Sequence, residues 1–309
     1  MDKFQIVVDG ANKNDRLDAF LAAKLPGHSR SSVQKLIEHN HISVNGHEAR
    51  SNYRLKTGDS IKVEIHKPET IPVKAENIPL DIVYEDDTLL VVNKPAGMVV
   101  HPAPGNYSGT LVNALLYHCD NLSGINGVLR PGIVHRIDKD TTGLIMVAKD
   151  EETHRHLAGQ LKEHSINRKY IALVRGAIEE DEGTIQAPIG RHPTNRKKMA
   201  VTARNSREAT THFSVINRYA EYTLIEARLE TGRTHQIRVH MNYIGHPVVG
   251  DPKYGREGEL DAKSLLLHAA VLGFVHPARN KYMEFNAPLP GHFLETIRSL
   301  QDFPDGDTY

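Results

Sequence analysis

His135-Arg136-Ile137-Asp138-Lys139-Asp140-Thr141-Thr142-Gly143 is an ion-rich turn set between two apolar segments, Ile133-Val134 and Gly143 to Ala148. Both flanks read as strands, being short apolar runs bounded by turn residues. Arg136 and Lys139 stand beside Asp138 and favour its carboxylate, the form that a nucleophile needs. Gly143 permits a tight backbone, and the hydroxyls of Thr141 and Thr142 can bond to local amides. Taken alone, an aspartate in such a turn is more often a structural residue satisfied by backbone amides.

Outward from this turn the chain is rich in strands. Ile82-Val83-Tyr84 and Leu89 to Val92 flank a polar turn, and Arg168 to Arg175, Thr211 to Asn217, Tyr222 to Leu229 and Leu265 to Val275 follow. Helices are predicted over Leu111 to His118, Thr153 to His164, Gln236 to Ile244 and Phe293 to Leu300. Strands and helices do not alternate regularly, so the pattern predicts an α+β fold on a mixed, largely antiparallel sheet. The first 66 residues read as a separate α/β unit. Leu17, Phe20, Leu21 and Leu25 have helical spacing, and Pro26-Gly27 stops that helix. A serine at 29, 31 or 32 caps a second helix carrying Val33, Leu36 and Ile37. Ile42 to Val44 then runs into an Asn45-Gly46 turn, and Thr57-Gly58-Asp59 precedes the strand Ile61 to Ile65. The expected organisation is an RNA-binding unit over 1–66, a proline-interrupted linker over 67–80, a catalytic domain over 81–300 and a frayed tail over 301–309.

Composition bounds the function. The 309 residues are 39% hydrophobic and 25% charged, as in ordinary globular proteins. No apolar run approaches the roughly 18 residues that span a bilayer, and residues 1–16 lack the apolar block of a secretory signal. Cys119 is the single cysteine, which excludes an internal disulfide and a Cys-rich zinc site and fits a reducing cytoplasm. Net charge is zero, yet the charge is segregated. Between Arg16 and Lys56 seven basic residues face three acids, and between Arg191 and Arg204 there are five basic residues and no acid. Such patches can attract phosphates without a high overall pI.

A second stretch, Glu230-Thr231-Gly232-Arg233-Thr234-His235-Gln236-Ile237-Arg238-Val239-His240, runs from a glycine turn into a helix. Arg238 could serve a carboxylate or phosphate site there, or an ordinary surface ion pair. The histidines form no His-Glu-x-x-His, no His pair has an obvious third ligand, and Cys119 stands alone. Asp138 and Asp140 have the spacing of a divalent-ion pair, but Arg136 and Lys139 argue against one. Nucleotide-binding glycine motifs are also missing, so chemistry without metal or cofactor is expected.

The run from His135 to Leu144 resembles the active-site motif of the RluA family of pseudouridine synthases, His-Arg-Leu-Asp-x-x-Thr-Ser/Thr-Gly-Leu, with Ile137 in place of the usual leucine. Lys94-Pro95-Ala96-Gly97, Arg168-Lys169-Tyr170, Gly232 to His240, Gly250 to Gly255 and Leu267-His268-Ala269 resemble further blocks of that family, in order. The first unit resembles an S4 domain, and with Arg191-His192-Pro193-Thr194 the whole is similar to the RluD-like branch. The resemblance implies cofactor-free isomerisation of uridine in large-subunit (23S) ribosomal RNA, free or in a pre-ribosomal particle, by a cytoplasmic monomer. A stem-loop such as helix 69 is the implied target. Asp138 matches the essential nucleophile or ribosyl-stabilising carboxylate, and Tyr170 the tyrosine that stacks on the base and is a candidate for proton abstraction. Arg238 matches the basic partner of the aspartate, and Arg136 the arginine that fills the space of the flipped base. Phosphate contacts are expected from Arg30, Lys35, Arg50 and Arg54 in the first unit and from Arg196, Lys197 and Lys198 in the second basic stretch. The rival readings are a noncatalytic RNA-binding assembly factor and a metal-dependent transferase built on Asp138 and Asp140.

Overall fold

The computed structural model describes residues 2–25, 29–65, 73–103, 105–125, 130–256 and 258–301. The chain divides into two compact units, Met1–Ile71 and Pro72–Tyr309.

The first unit holds β1 (Asp2–Val7), α1 (Leu17–Lys24), α2 (Arg30–Glu38), β2 (Ile42–Val44), β3 (His47–Glu48) and β4 (Ser60–Ile65). Its antiparallel sheet has the order β1-β4-β2-β3. Leu17, Phe20 and Leu21 of α1 pack with Val33 and Ile37 of α2 and with Ile61 and Val63 of β4. The Ser29 side chain accepts the Ser32 amide at 3.3 Å and caps α2. Val44 pairs with His47, so the β2–β3 loop is Asn45-Gly46, with φ of 52° and 80°. Two successive positive φ values are what a two-residue hairpin requires, and Asn-Gly reaches them at low cost. Asp18 of α1 is buried and binds Arg16, Arg30 and Gln34, which ties α1 to α2 through charge as well as apolar packing.

The second unit is built on one large sheet. In chain order it contains β5 (Ile82–Glu85), β6 (Leu89–Lys94), α3 (Leu111–His118), β7 (Thr142–Ala148), α4 (Glu151–Lys162), β8 (Asn167–Arg175), β9 (Glu182–Gln186), β10 (Ile189–Arg191), β11 (Met199–Val201) and β12 (Ser206–Arg207). There follow β13 (Thr210–Arg218), β14 (Tyr222–Leu229), α5 (Gln236–Tyr243), β15 (Leu267–His276), β16 (Lys281–Asn286) and α6 (Gly291–Gln301). The sheet order is β5-β6-β7-β15-β8-β14-β13-β9, with β16 also paired to β15. β7 and β15 pair in parallel, and the other pairs are antiparallel. β10, β11 and β12 form a small sheet of their own. This is the α+β, largely antiparallel arrangement that the strand pattern predicts.

Every residue of β7 is buried, because both faces of the sheet are covered there. Ile145 and Val147 face a core shared with Leu111 and Leu115 of α3 and Ile237 of α5. Leu144 and Met146 face the opposite core, with Leu157 of α4. A strand covered twice reads as a continuous apolar run rather than an alternating one. Each such side chain contributes about 1.5–3 kcal/mol by leaving water. At the far end α6 covers the sheet, with Phe293 and Ile297 against Leu173 and Leu224.

The structure corrects several expectations. Ile133-Val134 is not a strand; Ile133 makes an isolated bridge to Val147, and the segment up to Thr141 is irregular. Gly132 causes this, since it has φ +72° and both takes the Ala148 amide and donates to Ser123. β1, β9, β10, β11, β12 and β16 were not anticipated. β9 and β16 bury few side chains, so their sequences carry little alternation. Of the stretch read as a linker, residues 67–72 lie outside the described residues. Residues 73–80 form no helix or strand, and the Asn113 side chain of α3 donates to the Lys74 carbonyl at 2.7 Å. Of the tail, 302–309 lie outside the described residues.

Candidate active site

Asp138 sits in the irregular segment just before β7, and its position depends on Gly143. At φ +105° a Cβ on Gly143 would lie 2.2 Å from the Ala269 carbonyl oxygen, so only glycine lets β7 meet β15 there. The Thr142 hydroxyl donates to His268 Nδ1 at 2.8 Å, and His268 Nε2 donates to the Ala287 carbonyl, which pins the junction. Behind it Lys94 is fully buried, and its Nζ donates to the carbonyls of Pro95, Met98 and Lys139. Burial pulls the Lys94 ammonium down to about 7, against the charges of Asp140 and Asp138. Lys139 directly follows Asp138, so this lysine anchors the segment that presents the carboxylate.

Arg238 is brought opposite by α5. The turn before α5 closes with His235 in the left-handed region at φ 58°. The Gln236 side chain secures that turn. Its Oε1 accepts from Thr231 and from the Arg233 amide, while its Nε2 donates to Thr210 and Thr211 of β13. Arg238 is 4% exposed, which overturns the surface-pair alternative. Its Nη1 donates to Asp138 Oδ2 at 2.8 Å. Its Nε and Nη2 donate to the two oxygens of Asp251, each at 2.7 Å. Asp251 also accepts the amides of Lys253 and Tyr254 at its Oδ1. A planar guanidinium thus spends one edge on a buried carboxylate and offers one N–H to Asp138. Burial alone would loosen the Arg238 proton, but Asp251 and Asp138 outweigh it and hold Arg238 more basic than an ordinary arginine. Among the described residues the Asp138 carboxylate bonds to this arginine and not to the amides of its turn.

Tyr170 of β8 is 7% exposed and lines the same cavity as Asp138 and Arg238, with Arg136 at its exposed rim and Ile137, Leu229 and Leu267 in its walls. Burial, with the Asp138 charge, pushes the Tyr170 phenol up, while Arg168 opposes the shift. The cavity combines one carboxylate, one phenol and an apolar wall with four arginines, Arg136, Arg168, Arg233 and Arg238, of which Arg238 is the one forked onto Asp251.

The surrounding geometry belongs with a sequence signature. Residues 88–243 match the family model described as RNA pseudouridylate synthase, and residues 15–61 match the S4 domain. The chain belongs to the RNA pseudouridylate synthase family. An RNA pseudouridine synthase of Bacillus subtilis (strain 168), YlyB, is 52% identical over 97% of this chain and 99% of its own. The ribosomal large subunit pseudouridine synthase D of Zymomonas mobilis is 49% identical over 89% of this chain and 90% of its own. The solved structure of human RNA pseudouridylate synthase domain containing 1 superposes with a TM-score of 0.58 at 26% identity, covering 78% of this chain and all of that one. The RluA-type and RluD-like resemblance stands, and this synthase is an isomerase that acts on RNA.

Asp138, Tyr170, Arg238 and Arg136 come together in one cavity of the synthase. The expected phosphate-binding residues lie elsewhere. In the first unit Arg30 pairs with Asp18, Arg54 donates to the Asn14 carbonyl, Arg50 borders a surface groove, and Lys35 is on α2. Arg196, Lys197 and Lys198 occupy the β10–β11 loop, which His192 shapes by accepting the amides of Thr194 and Asn195. Lys198 sits 5.7 Å from the Tyr254 ring, whose other cation is Arg238 at 5.3 Å. Sequence reasoning missed Asp251, Gln236, Lys94 and Arg168. All four stand in blocks already singled out, but only the fold shows that Asp251 forks onto Arg238 and that Lys94 holds the Lys139 carbonyl. Cys119, read as standing alone, lies with Glu85 and His118, their ligand atoms within 4.8 Å of one another. Lys149 already pairs with Glu85 at 2.7 Å, and burial pushes the Cys119 thiol up to about 11, away from the thiolate that a metal needs.

Proposed function

We propose that this synthase converts specific uridines of large-subunit (23S) ribosomal RNA to pseudouridine, with Asp138 as the carboxylate that acts at the ribosyl carbon of a flipped nucleotide. The observation that carries the reading is the 2.8 Å bond from Arg238, itself forked onto Asp251, which aims Asp138 into a cavity shared with Tyr170.

In the reaction the N1–C1′ bond breaks, the uracil turns, and C5 bonds to C1′. C5 then loses its hydrogen and N1 gains one. Bonds made equal bonds broken, so neither ATP nor a redox partner is required. The Asp138 carboxylate meets the positive charge that develops at C1′, and Arg238 holds its direction. Tyr170, kept neutral by burial, offers a flat apolar face to the uracil, which makes stacking its resting task. C1′ and C5 cannot exchange places within a stack, so the base must leave it, at a cost of a few kcal/mol that is least in a loop. Arg136, at the rim, is placed to fill the gap left behind. The relatives named ribosomal large subunit pseudouridine synthase D support a large-subunit substrate, and we read a stem-loop such as helix 69 as its target. We read the synthase as a cytoplasmic monomer that meets this RNA free or in a pre-ribosomal particle. Among the described residues no helix is long and apolar enough to cross a membrane.

Asp138→Asn should abolish tritium release from RNA labelled at uridine C5 while leaving RNA affinity near the wild-type value. Full activity in that variant would sink the assignment. Pseudouridine mapping of ribosomal RNA from a strain lacking the protein identifies the target, and an unchanged large-subunit pattern would remove the ribosomal reading.

A further inference from the structure

A second groove, of about 480 Å³, opens beside the Asp138 cavity and shares Arg136, Arg168, Gly232 and Arg233 with it. Its other walls come from Leu161 and Lys162 at the C-terminal end of α4, from His164 just beyond it, and from Val134, His135 and Thr231. Four of its lining residues are permanent cations and none is an acid.

Arg168 is the unusual member. It is 6% exposed, yet among the described residues it has no carboxylate partner. Its Nη2 donates to the Glu230 carbonyl at 3.1 Å, and its buried Nε has no partner among the described residues. Buried guanidinium groups are normally paired, because an unpaired buried charge costs several kcal/mol. The fold nonetheless makes room for this one. A Cβ on Gly232 would lie 2.9 Å from Arg168 Nη1, and Gly232 has no left-handed φ to explain the glycine. The absence of a side chain at Gly232 leaves room for that guanidinium. Arg136 and Lys162 are likewise unpaired with acids among the described residues, while Arg233 uses its Nε on the Glu208 carbonyl. Several cations, no acid and an unpartnered buried donor together suit an anion.

We propose that this groove binds the RNA phosphodiester that flanks the flipped uridine, with Arg168 as the buried donor and Lys162 as the outer cation. The inference rests on the reading that the target nucleotide enters the Asp138 cavity. The shared wall then puts the neighbouring phosphate in the groove. A phosphate also suits Arg168 better than a neutral base edge does, since it supplies the missing charge as well as an acceptor.

The test is a binding titration of the full-length protein, as the Asp138→Asn variant to prevent turnover. The probe is a stem-loop RNA that the wild type modifies, carrying one neutral methylphosphonate linkage at a time. One linkage beside the target uridine should weaken binding markedly. Lys162→Ala should lose that sensitivity, and Arg168→Gln should do the same. Lys162 is exposed, so its removal leaves the core intact if Arg168→Gln folds poorly. Between about 50 and 200 mM salt, Lys162→Ala should lose about threefold less affinity than the parent, the effect of one fewer phosphate contact. The proposal is overturned if no flanking linkage stands out, or if Lys162→Ala senses the neutral linkage as the parent does. The readout is binding, so activity remaining in Asp138→Asn would defeat the catalytic reading without deciding this one.

Discussion

Asp251→Asn is the perturbation that most directly probes how Asp138 is held. Asp251 is 2% exposed and makes four bonds. Oδ2 takes Arg238 Nε, and Oδ1 takes Arg238 Nη2 and the amides of Lys253 and Tyr254. An asparagine that keeps its oxygen at Oδ1 retains the three contacts there. Its NH2 then replaces Oδ2 and faces the Nε–H of Arg238, donor against donor. Arg238 is left as a buried cation whose one remaining carboxylate is Asp138. Removing one partner of a buried pair costs about 3–5 kcal/mol. For a domain of this size that corresponds to a fall of about 6–20 °C in melting temperature. The guanidinium also loses its anchor, and a misplacement near 1 Å at a reacting group costs about a hundredfold in rate. Calorimetry and single-turnover tritium release are the assays. kcat should fall by far more than KM changes, because Asp251 is buried behind the arginine. A variant that melts with the wild type and keeps its kcat would refute the anchoring role.

Two further outcomes follow from the same geometry. Gly143→Ala places a methyl against the Ala269 carbonyl at a positive φ, so it should destabilise the catalytic unit by several kcal/mol, seen as a lower melting temperature with activity lost in proportion. The acid side of the stability profile should reflect His135, whose Nε2 accepts the Met146 amide and whose proton affinity burial, helped by Arg168, pulls down to about 3. Unfolded, this histidine protonates near 6.5; folded, it stays neutral to about 3. The unfolded chain therefore binds more protons in that window, and stability falls as pH drops from 6.5 towards 3. His101 and His235, each lowered by burial to about 4, act in the same direction. His135→Gln keeps an acceptor for Met146 without the titration, so its melting temperature should decline less between pH 7 and pH 5; an equal decline would remove His135 as a source.

Much of this was legible in the chain itself. Helix starts and hairpin turns depend on local chemistry, as with the Ser29 cap and the Asn45-Gly46 turn, and these are written where they act. The doubly covered strands were legible for a similar reason, since burial on both faces leaves an unbroken apolar run such as Leu144 to Val147. Asp138, Tyr170, Arg238 and Arg136 could be named from spacing and resemblance. The pairing of Arg238 with Asp138 was named only through the resemblance, since composition and spacing do not show which charges meet. Arg238 and Asp138 are 100 residues apart, and their 2.8 Å contact exists because α5 packs on the face of the sheet from which the segment before β7 emerges. Asp251 and Arg168 were missed on the same account, since an isolated acid or base has no periodicity, and burial with or without a partner is decided only by the elements that close around it. For Asp138 the sequence determined its chemistry and neighbours, while the tertiary structure decided its direction, because a carboxylate is aimed by the guanidinium it faces and that group arrives from elsewhere in the chain.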